Sequence, residues 1–352
     1  MNAYPRSAPS RRLAPWIVAL GGLAGCGGES PGTPEPPLPR LPLAADSLTV
    51  SGLSSGGYMA VQFHVAHSST VQGAGVLAAG PYLCAEGSMR HALGRCMQAD
   101  EEIPTERLLE STSVLALHEQ IDPIAGLADD RVWIFHGGAD IVVRKPVVDA
   151  LETYYRALVD PAQVLRTGHP QAGHTFPARE GGVGPCFASD SPFVGECGID
   201  GARQLLEHLY GGLAADAAPR DSGLVEFEQR PYAEAAGSAA FAERGWLYVP
   251  AGCEAGAAGP CRLHVVFHGC KQGPGFVGDT FVRRAGYLSV AEANRIVLLF
   301  PQVERSFQPL NPNGCWDWWG YEGEAYATHD GPQIRAVRAM VDDLMGGAGA
   351  AD

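Results

Sequence analysis

Val50-Ser51-Gly52-Leu53-Ser54-Ser55-Gly56-Gly57-Tyr58-Met59-Ala60 is the stretch whose reading decides the fold. It carries the pattern G-x-S-x-G with Ser54 at its centre. An apolar, β-leaning run, Leu48-Thr49-Val50, precedes it, and a helix-compatible run from Tyr58 to Ala66 follows. Strand, sharp turn and helix is the setting in which this pattern presents a nucleophilic serine. The turn holds the serine in a strained conformation, and only small neighbours let strand and helix come that close. Gly52, Gly56 and Gly57 supply the room. The helix N-terminus then faces the serine, where free backbone N–H groups can stabilise an oxyanion. Alone, the pattern also fits a glycine-rich turn with an incidental serine; the flanks favour the elbow.

Outward from the elbow, apolar strands alternate with helices. Val71–Ala79, Arg131–Phe135, Ala162–Leu165, Trp246–Val249, Leu263–Phe267 and Arg295–Phe300 read as strands. Pro146–Leu158, with proline in its first turn, Gly201–Tyr210 and Gln333–Leu344 read as helices. Ala214–Ser222 is a polar, alanine-rich connection, and no internal repeat is visible. The alternation predicts an α/β fold, a mostly parallel sheet with helices on both faces.

A serine nucleophile needs a base, and the base needs an acid to orient it. In α/β-hydrolases the order is Ser, Asp/Glu, His, each after a strand. Asp140 follows the strand Val132–Phe135 and is the expected acid. Asp122, in Asp122-Pro123, is a rival without a strong preceding strand. For the base, His174 in Gly173-His174-Thr175-Phe176-Pro177 is favoured, with His329 and His169 as alternatives. His136 and His268 sit beside glycines at strand ends and read as structural.

One strand is out of place. Val265-Val266-Phe267-His268-Gly269-Cys270 resembles the oxyanion-loop strand that ordinarily precedes the nucleophile, yet here it follows Ser54 and His174. A circular permutation accounts for it, since chain termini lie at the surface and often close together. The amides of Ser55 and Cys270 are then the expected oxyanion donors. Cys315-Trp316-Asp317-Trp318-Trp319-Gly320-Tyr321 packs three tryptophans into four positions. They read either as core, with indole N–H groups satisfied, or as an aromatic wall beside the site.

The chain has 352 residues, 46% hydrophobic and 18% charged, with a net charge of −14 and a pI of about 5.2. That acidity excludes nucleic acid as a natural partner and disfavours anionic membrane surfaces. Residues 1–26 read as an export signal: Arg6, Arg11 and Arg12, then a short apolar run from Leu13 to Ala24. It ends in Leu23-Ala24-Gly25-Cys26, which resembles a bacterial lipoprotein box with Cys26 lipidated. An ordinary secretory signal is the alternative, and Ser10-Arg11-Arg12 is a weak twin-arginine signal. Residues 27–45, rich in Pro and Gly, read as a tether, and 46–346 as a single catalytic domain.

Nine cysteines are present. With Cys26 set aside, six of the eight others fall into close pairs, Cys84–Cys96, Cys186–Cys197 and Cys253–Cys261, which leaves Cys270–Cys315. Four disulfides fit export to an oxidising compartment, either as a periplasmic or outer-membrane lipoprotein or as an extracellular protein. No C-x-x-C occurs and the spacings do not suit zinc.

Together these pieces resemble a polyhydroxybutyrate (PHB) depolymerase of the circularly permuted α/β-hydrolase type. Gly52–Tyr58, Gly138-Ala139-Asp140, Gly173–Pro177, His268-Gly269-Cys270, Phe281-Val282 with Gly286-Tyr287, Phe300-Pro301-Gln302 and Gly314–Tyr321 carry the likeness. The resemblance implies a serine esterase cleaving polyester or its oligomers, with Ser54 as nucleophile, Asp140 as acid, His174 as base, and Ser55 and Cys270 at the oxyanion. Trp316, Trp318 and Trp319 become the expected substrate-binding surface. It implies no metal or organic cofactor, and a monomer is expected. A feruloyl or acetyl esterase of the same fold is the nearest alternative; a non-catalytic lipoprotein binding a polymer through its tryptophans is another.

Overall fold

β1 (Leu43–Leu53) is buried on both faces from Ser47 onward, as befits a strand in the middle of a covered sheet. The computed structural model describes residues 38–346 apart from Glu180. Seven further strands join β1: β2 (Gly73–Leu77), β3 (Arg131–Gly137), β4 (Val164–His169), β5 (Leu224–Glu228), β6 (Arg244–Tyr248), β7 (Cys261–Phe267) and β8 (Ile296–Phe300). Their order across the sheet is β4-β3-β2-β1-β7-β8-β6-β5. β1 to β4, β7 and β8 are parallel; β6 runs antiparallel to β8, and β5 to β6. The C-terminal strands thus form one half of the sheet and the N-terminal strands the other. The expected permutation takes this form: β7, late in the chain, lies directly beside β1.

Alternation along β1 assigns the helices to faces. Gly52 faces α1 (Ser55–Ala66), and α2 (Lys145–Arg156) lies on the same side, where Tyr155 meets His64 of α1. Thr49 and Ser51 point the other way, to Tyr210 of α3 (Gly201–Tyr210) and Tyr287 of α4 (Tyr287–Asn294). All twelve residues of α1 are buried, so it is a core helix rather than an amphipathic surface one. α5 (Pro332–Met345) closes the fold. Among the described residues no helix is long and apolar enough to cross a membrane.

The tether expected to reach residue 45 ends sooner. Leu38 and Leu41 are buried, and the Leu41 N–H donates to the Leu344 carbonyl at 2.9 Å. Four disulfides form, Cys84–Cys96, Cys186–Cys197, Cys253–Cys261 and Cys270–Cys315, as the spacing predicts. They mark a protein exported from the cytosol. The expected signal over 1–26 lies outside the described residues.

A polar chain runs through the apolar layer between β1, β7, α3 and α4. His264 of β7 stands 2.7 Å from Thr49 Oγ1 through Nδ1 and 2.7 Å from Ser51 Oγ through Nε2. Tyr287 OH meets Ser51 at 2.7 Å, and Thr49 meets Tyr210 OH at 2.6 Å. One proton order satisfies every member: Tyr287 donates to Ser51, Ser51 to Nε2, Nδ1–H to Thr49, Thr49 to Tyr210, and Tyr210 to the Leu263 carbonyl. Burial pushes the His264 pKa down to about 3, so the ring is neutral as this order requires. His264→Ala leaves two buried hydroxyls short of partners and opens a cavity. It is expected to cost about 3–5 kcal/mol in denaturant unfolding with disulfides intact; a loss under about 1 kcal/mol would remove the network from the stability account.

Candidate active site

Ser54 sits between β1 and α1 at φ 57° and ψ −121°, a backbone region that side chains rarely occupy. The conformation is forced by close approach. A Cβ on Gly52 would stand 2.2 Å from the Gly56 carbonyl oxygen, and one on Gly56 would stand 2.2 Å from that of Phe267. Strand, helix and β7 therefore meet at a distance only glycine permits. The Ser54 N–H is held by the Leu77 carbonyl at 2.9 Å. Its side chain makes no helix-capping hydrogen bond, which leaves the hydroxyl to the cleft.

β3 and β4 deliver the other two groups. Asp140 lies just past β3, and its Oδ1 accepts from the N–H groups of Val142 (2.8 Å) and Val143 (2.9 Å). Its Oδ2 meets His174 Nδ1 at 2.8 Å, with both side chains nearly inaccessible. Burial opposes ionisation of Asp140, but the hydrogen bond and charge of His174 and the two amides outweigh it, so the carboxyl is held below its ordinary value. The His174 N–H donates to Ser189 Oγ at 2.8 Å, and Phe193 stands edge-on to the ring at 6.1 Å. Ser54 and His174 line the same cleft, of about 450 Å³.

Register brings the loop after β7 to the serine. Gly52 pairs with Phe267, and two residues on, a Cβ on Gly269 would stand 3.5 Å from that of Ser54. His268 shapes this loop: Nδ1–H donates to the Gly269 carbonyl (2.7 Å), and Nε2 accepts from the Val303 N–H (3.1 Å). Burial pushes its pKa down to about 4, so the neutral ring can do both. Gln272 accepts from the Gly269 N–H at 2.7 Å and donates to the Pro192 carbonyl at 2.9 Å, which ties this loop to the one beside His174. Among the described residues the N–H groups of Ser55 and Cys270 have no hydrogen-bond acceptor.

The tryptophans divide. Trp318 is buried in a stack on Tyr58, centroids 4.1 Å apart, and lines the cleft with the half-buried Trp319. Trp316, expected with them as substrate-binding, does not reach the cleft. It is fully buried against Phe267, His268 and Phe241, because the Cys270–Cys315 bridge draws the segment inward beneath the loop. The indole N–H groups of Trp316 and Trp318 have no partner among the described residues, contrary to the expectation for buried indoles. Asp317 holds the segment's shape. Its Oδ1 accepts from the N–H groups of Gly320 (2.7 Å) and Tyr321 (2.9 Å), and its Oδ2 from that of Glu322 (2.8 Å). Burial outweighs these amides and pushes its pKa up to about 6.

The rival residues lie elsewhere. His169 ends β4 and does not line the cleft; its Nδ1 accepts from the Gln171 N–H at 3.3 Å. His329 and Asp122 pair with each other at 3.1 Å, at the far end of α1. Sequence reasoning missed Met89, Leu93 and Met97, which wall the cleft from two short helices (Met89–Leu93 and Arg95–Gln98), and it missed Ser189, Phe193 and Gln272. The only signal for the first three is the Cys84–Cys96 pair that encloses most of them.

Fold and site together are those of the α/β-hydrolases, with a serine at the mouth of a largely apolar cleft. No family model matches the chain. It is 43% identical over 315 residues to a poly(3-hydroxybutyrate) depolymerase of Delftia acidovorans, covering 89% of this chain and 62% of that protein's length. It is 32% identical over 346 residues to a polyhydroxybutyrate depolymerase of Talaromyces funiculosus, covering 94% of this chain and 97% of the relative. The crystal structure of the PHB depolymerase from Penicillium funiculosum superposes with a TM-score of 0.82 at 32% identity, over 88% of this chain and 99% of that one. A structure of a serine-to-alanine PHB depolymerase complexed with an R3HB trimer matches equally, with a TM-score of 0.82. The chain belongs to the polyhydroxybutyrate depolymerase family.

Asp140 gives a pH test. Because its folded pKa is depressed, ionised Asp140 stabilises the fold fully above its unfolded value of about 3.9, and that contribution is lost as pH falls below it. The gap in Tm between the native chain and Asp140→Asn is therefore expected to shrink below about pH 4. A gap constant from acid to neutral pH would contradict the assignment.

Proposed function

We propose that the chain hydrolyses the ester bonds of 3-hydroxybutyrate polyester or its oligomers through an acyl-enzyme. The observation that carries this reading is the His174–Asp140 pair at 2.8 Å, buried and opening on the cleft that Ser54 lines. His174 takes the Ser54 proton as the hydroxyl attacks the ester carbonyl. The amides of Ser55 and Cys270 receive the developing oxyanion; removal of one such donor typically costs about 2.7–4 kcal/mol of transition-state stabilisation. His174 then protonates the departing hydroxyl of the chain end. Water, deprotonated by the same ring, releases the acid from Ser54. Asp140 keeps Nδ1 protonated and Nε2 turned to the serine.

The cleft walls suit a neutral, weakly polar chain. Leu93, Met97, Phe193 and Trp319 line the cleft with the serine, and Lys271 is the cationic residue lining it among those described. The relatives named for this substrate, and the trimer complex of the structural neighbour, support the choice of polyester over aryl or acetyl groups.

The reading extends to the N-terminus. Cys26 takes lipid after export, and the following segment tethers the catalytic domain to a membrane. Cys26→Ser is expected to abolish incorporation of labelled palmitate and to release the protein in soluble form; unchanged labelling would refute the anchor. For catalysis, Ser54→Ala is expected to lower kcat on a 3-hydroxybutyrate trimer by at least about 10⁴-fold with the fold retained. Release of 3-hydroxybutyrate at the native rate would sink the mechanism, and faster turnover of feruloyl or acetyl esters than of the trimer would sink the substrate.

A further inference from the structure

α1 ends at Ala66, about 18 Å of helix from Ser54. Three side chains meet there that the proposed reaction does not use. His67 caps the helix, and its buried Nε2 has no hydrogen-bond partner among the described residues. Its ring stacks on His329, centroids 5.0 Å apart. His329 Nε2 stands 3.1 Å from Asp122 Oδ1. One donor atom from each of the three lies within 4.8 Å of the others.

We propose that His67, Asp122 and His329 bind one divalent transition-metal ion, zinc in preference, with water completing its coordination. Two imidazoles and a carboxylate are a donor set that suits zinc and its neighbours rather than calcium or magnesium. Bonds of about 2.0–2.1 Å in a tetrahedral shell place ligand atoms about 3.3 Å apart. His329 and Asp122 are already near that spacing at 3.1 Å, and the His67 donor atom lies within 4.8 Å of both.

The backbone around the cluster is fixed. The Asp122 N–H donates to the Ala66 carbonyl (3.0 Å), and the His329 N–H to that of Gln120 (2.9 Å). Asp122 Oδ2 accepts from the Ser69 N–H at 3.0 Å, which orients Oδ1 toward the cluster. On metal binding His329 exchanges its 2.6 Å contact with the Ala66 carbonyl for the ion and carries its proton on Nδ1. The Ala66 carbonyl keeps the Asp122 amide. The C-terminal end of α1 adds negative partial charge where a cation would sit. Arg335 and Arg338, which line the same cavity, are the opposing charges; Arg338 is engaged by Asp342 (2.9 Å) and Thr70 (2.8 Å), and Arg335 donates to the Ala235 carbonyl (3.3 Å). A cavity of about 240 Å³ reaches both imidazoles and provides an entry path.

Such an ion would join the end of α1 to the turn at Asp122 and to the segment that starts α5. The proposal stands apart from the esterase reading, since it shares no residue with the cleft. The test uses the full, untagged chain, stripped with chelator and titrated with zinc chloride by calorimetry, with metal content read by mass spectrometry. One equivalent is expected to bind. At zinc about 100-fold above Kd the Tm is expected to rise by about 5 °C. Asp122→Asn and His329→Gln each keep side-chain volume, and His329→Gln keeps a donor for Ala66; hydrolysis of a soluble ester checks that both fold. Each is expected to weaken zinc binding at least about 10-fold. Absence of a Tm rise in the native chain, or affinities in both variants within about threefold of native, would overturn the site.

Discussion

The parallel pairing of β1 with β7 is the constraint on which the site rests. The serine turn ends one strand and the His-Gly loop ends the other, and they come from opposite ends of the chain. A slip of one residue would turn every side chain of β1 to the wrong face. Two devices prevent it. Above, the glycines let the strand ends and α1 approach within a distance that a single Cβ would forbid. Below, the imidazole of His264 spans the Thr49 and Ser51 hydroxyls at 2.7 Å each. The buried polar chain thus acts on specificity of pairing, while the apolar layers around it carry most of the burial energy.

From that alignment the remaining geometry follows in order along the sheet. β3 and β4 lie on the far side of β2 from β1, and the loops at their ends place Asp140 and His174 over the same sheet edge as Ser54. Their orientation is then set by short contacts rather than by the sheet: two amides on Asp140, one serine hydroxyl on the His174 backbone, and a glutamine that links the loop after β7 to the loop carrying Phe193. The three loops are coupled to one another, not merely adjacent.

Much of this is legible in the residues, because it is local. α3 occupies Gly201–Tyr210 as its periodicity predicts, and the elbow is identified by small residues that the backbone itself demands. β5 escapes notice because Leu-Val-Glu-Phe-Glu buries only Phe227 fully, and an edge strand of that kind has no apolar run to detect. α4 starts after glycine without a capping side chain and carries no strong polar face. The choice among three histidines is not local at all. His174, His169 and His329 each follow plausible loops, and only the meeting of β3, β4 and β1 separates them. Trp316 shows the same limit: spacing cannot say which of three neighbouring tryptophans a disulfide turns inward. Lipidation at Cys26 rests on sequence alone.

Three of the four disulfides border the cleft. One holds the short helices carrying Met89 and Met97, one closes the loop with Ser189 and Phe193, and one ties the His-Gly loop to the tryptophan segment. The fourth, Cys253–Cys261, fastens the first residue of β7 instead. The rim of the cleft is thus clasped covalently, and those clasps close only where thiols oxidise. A copy retained in a reducing compartment would lack all three clasps on the mouth that holds Ser54 and His174.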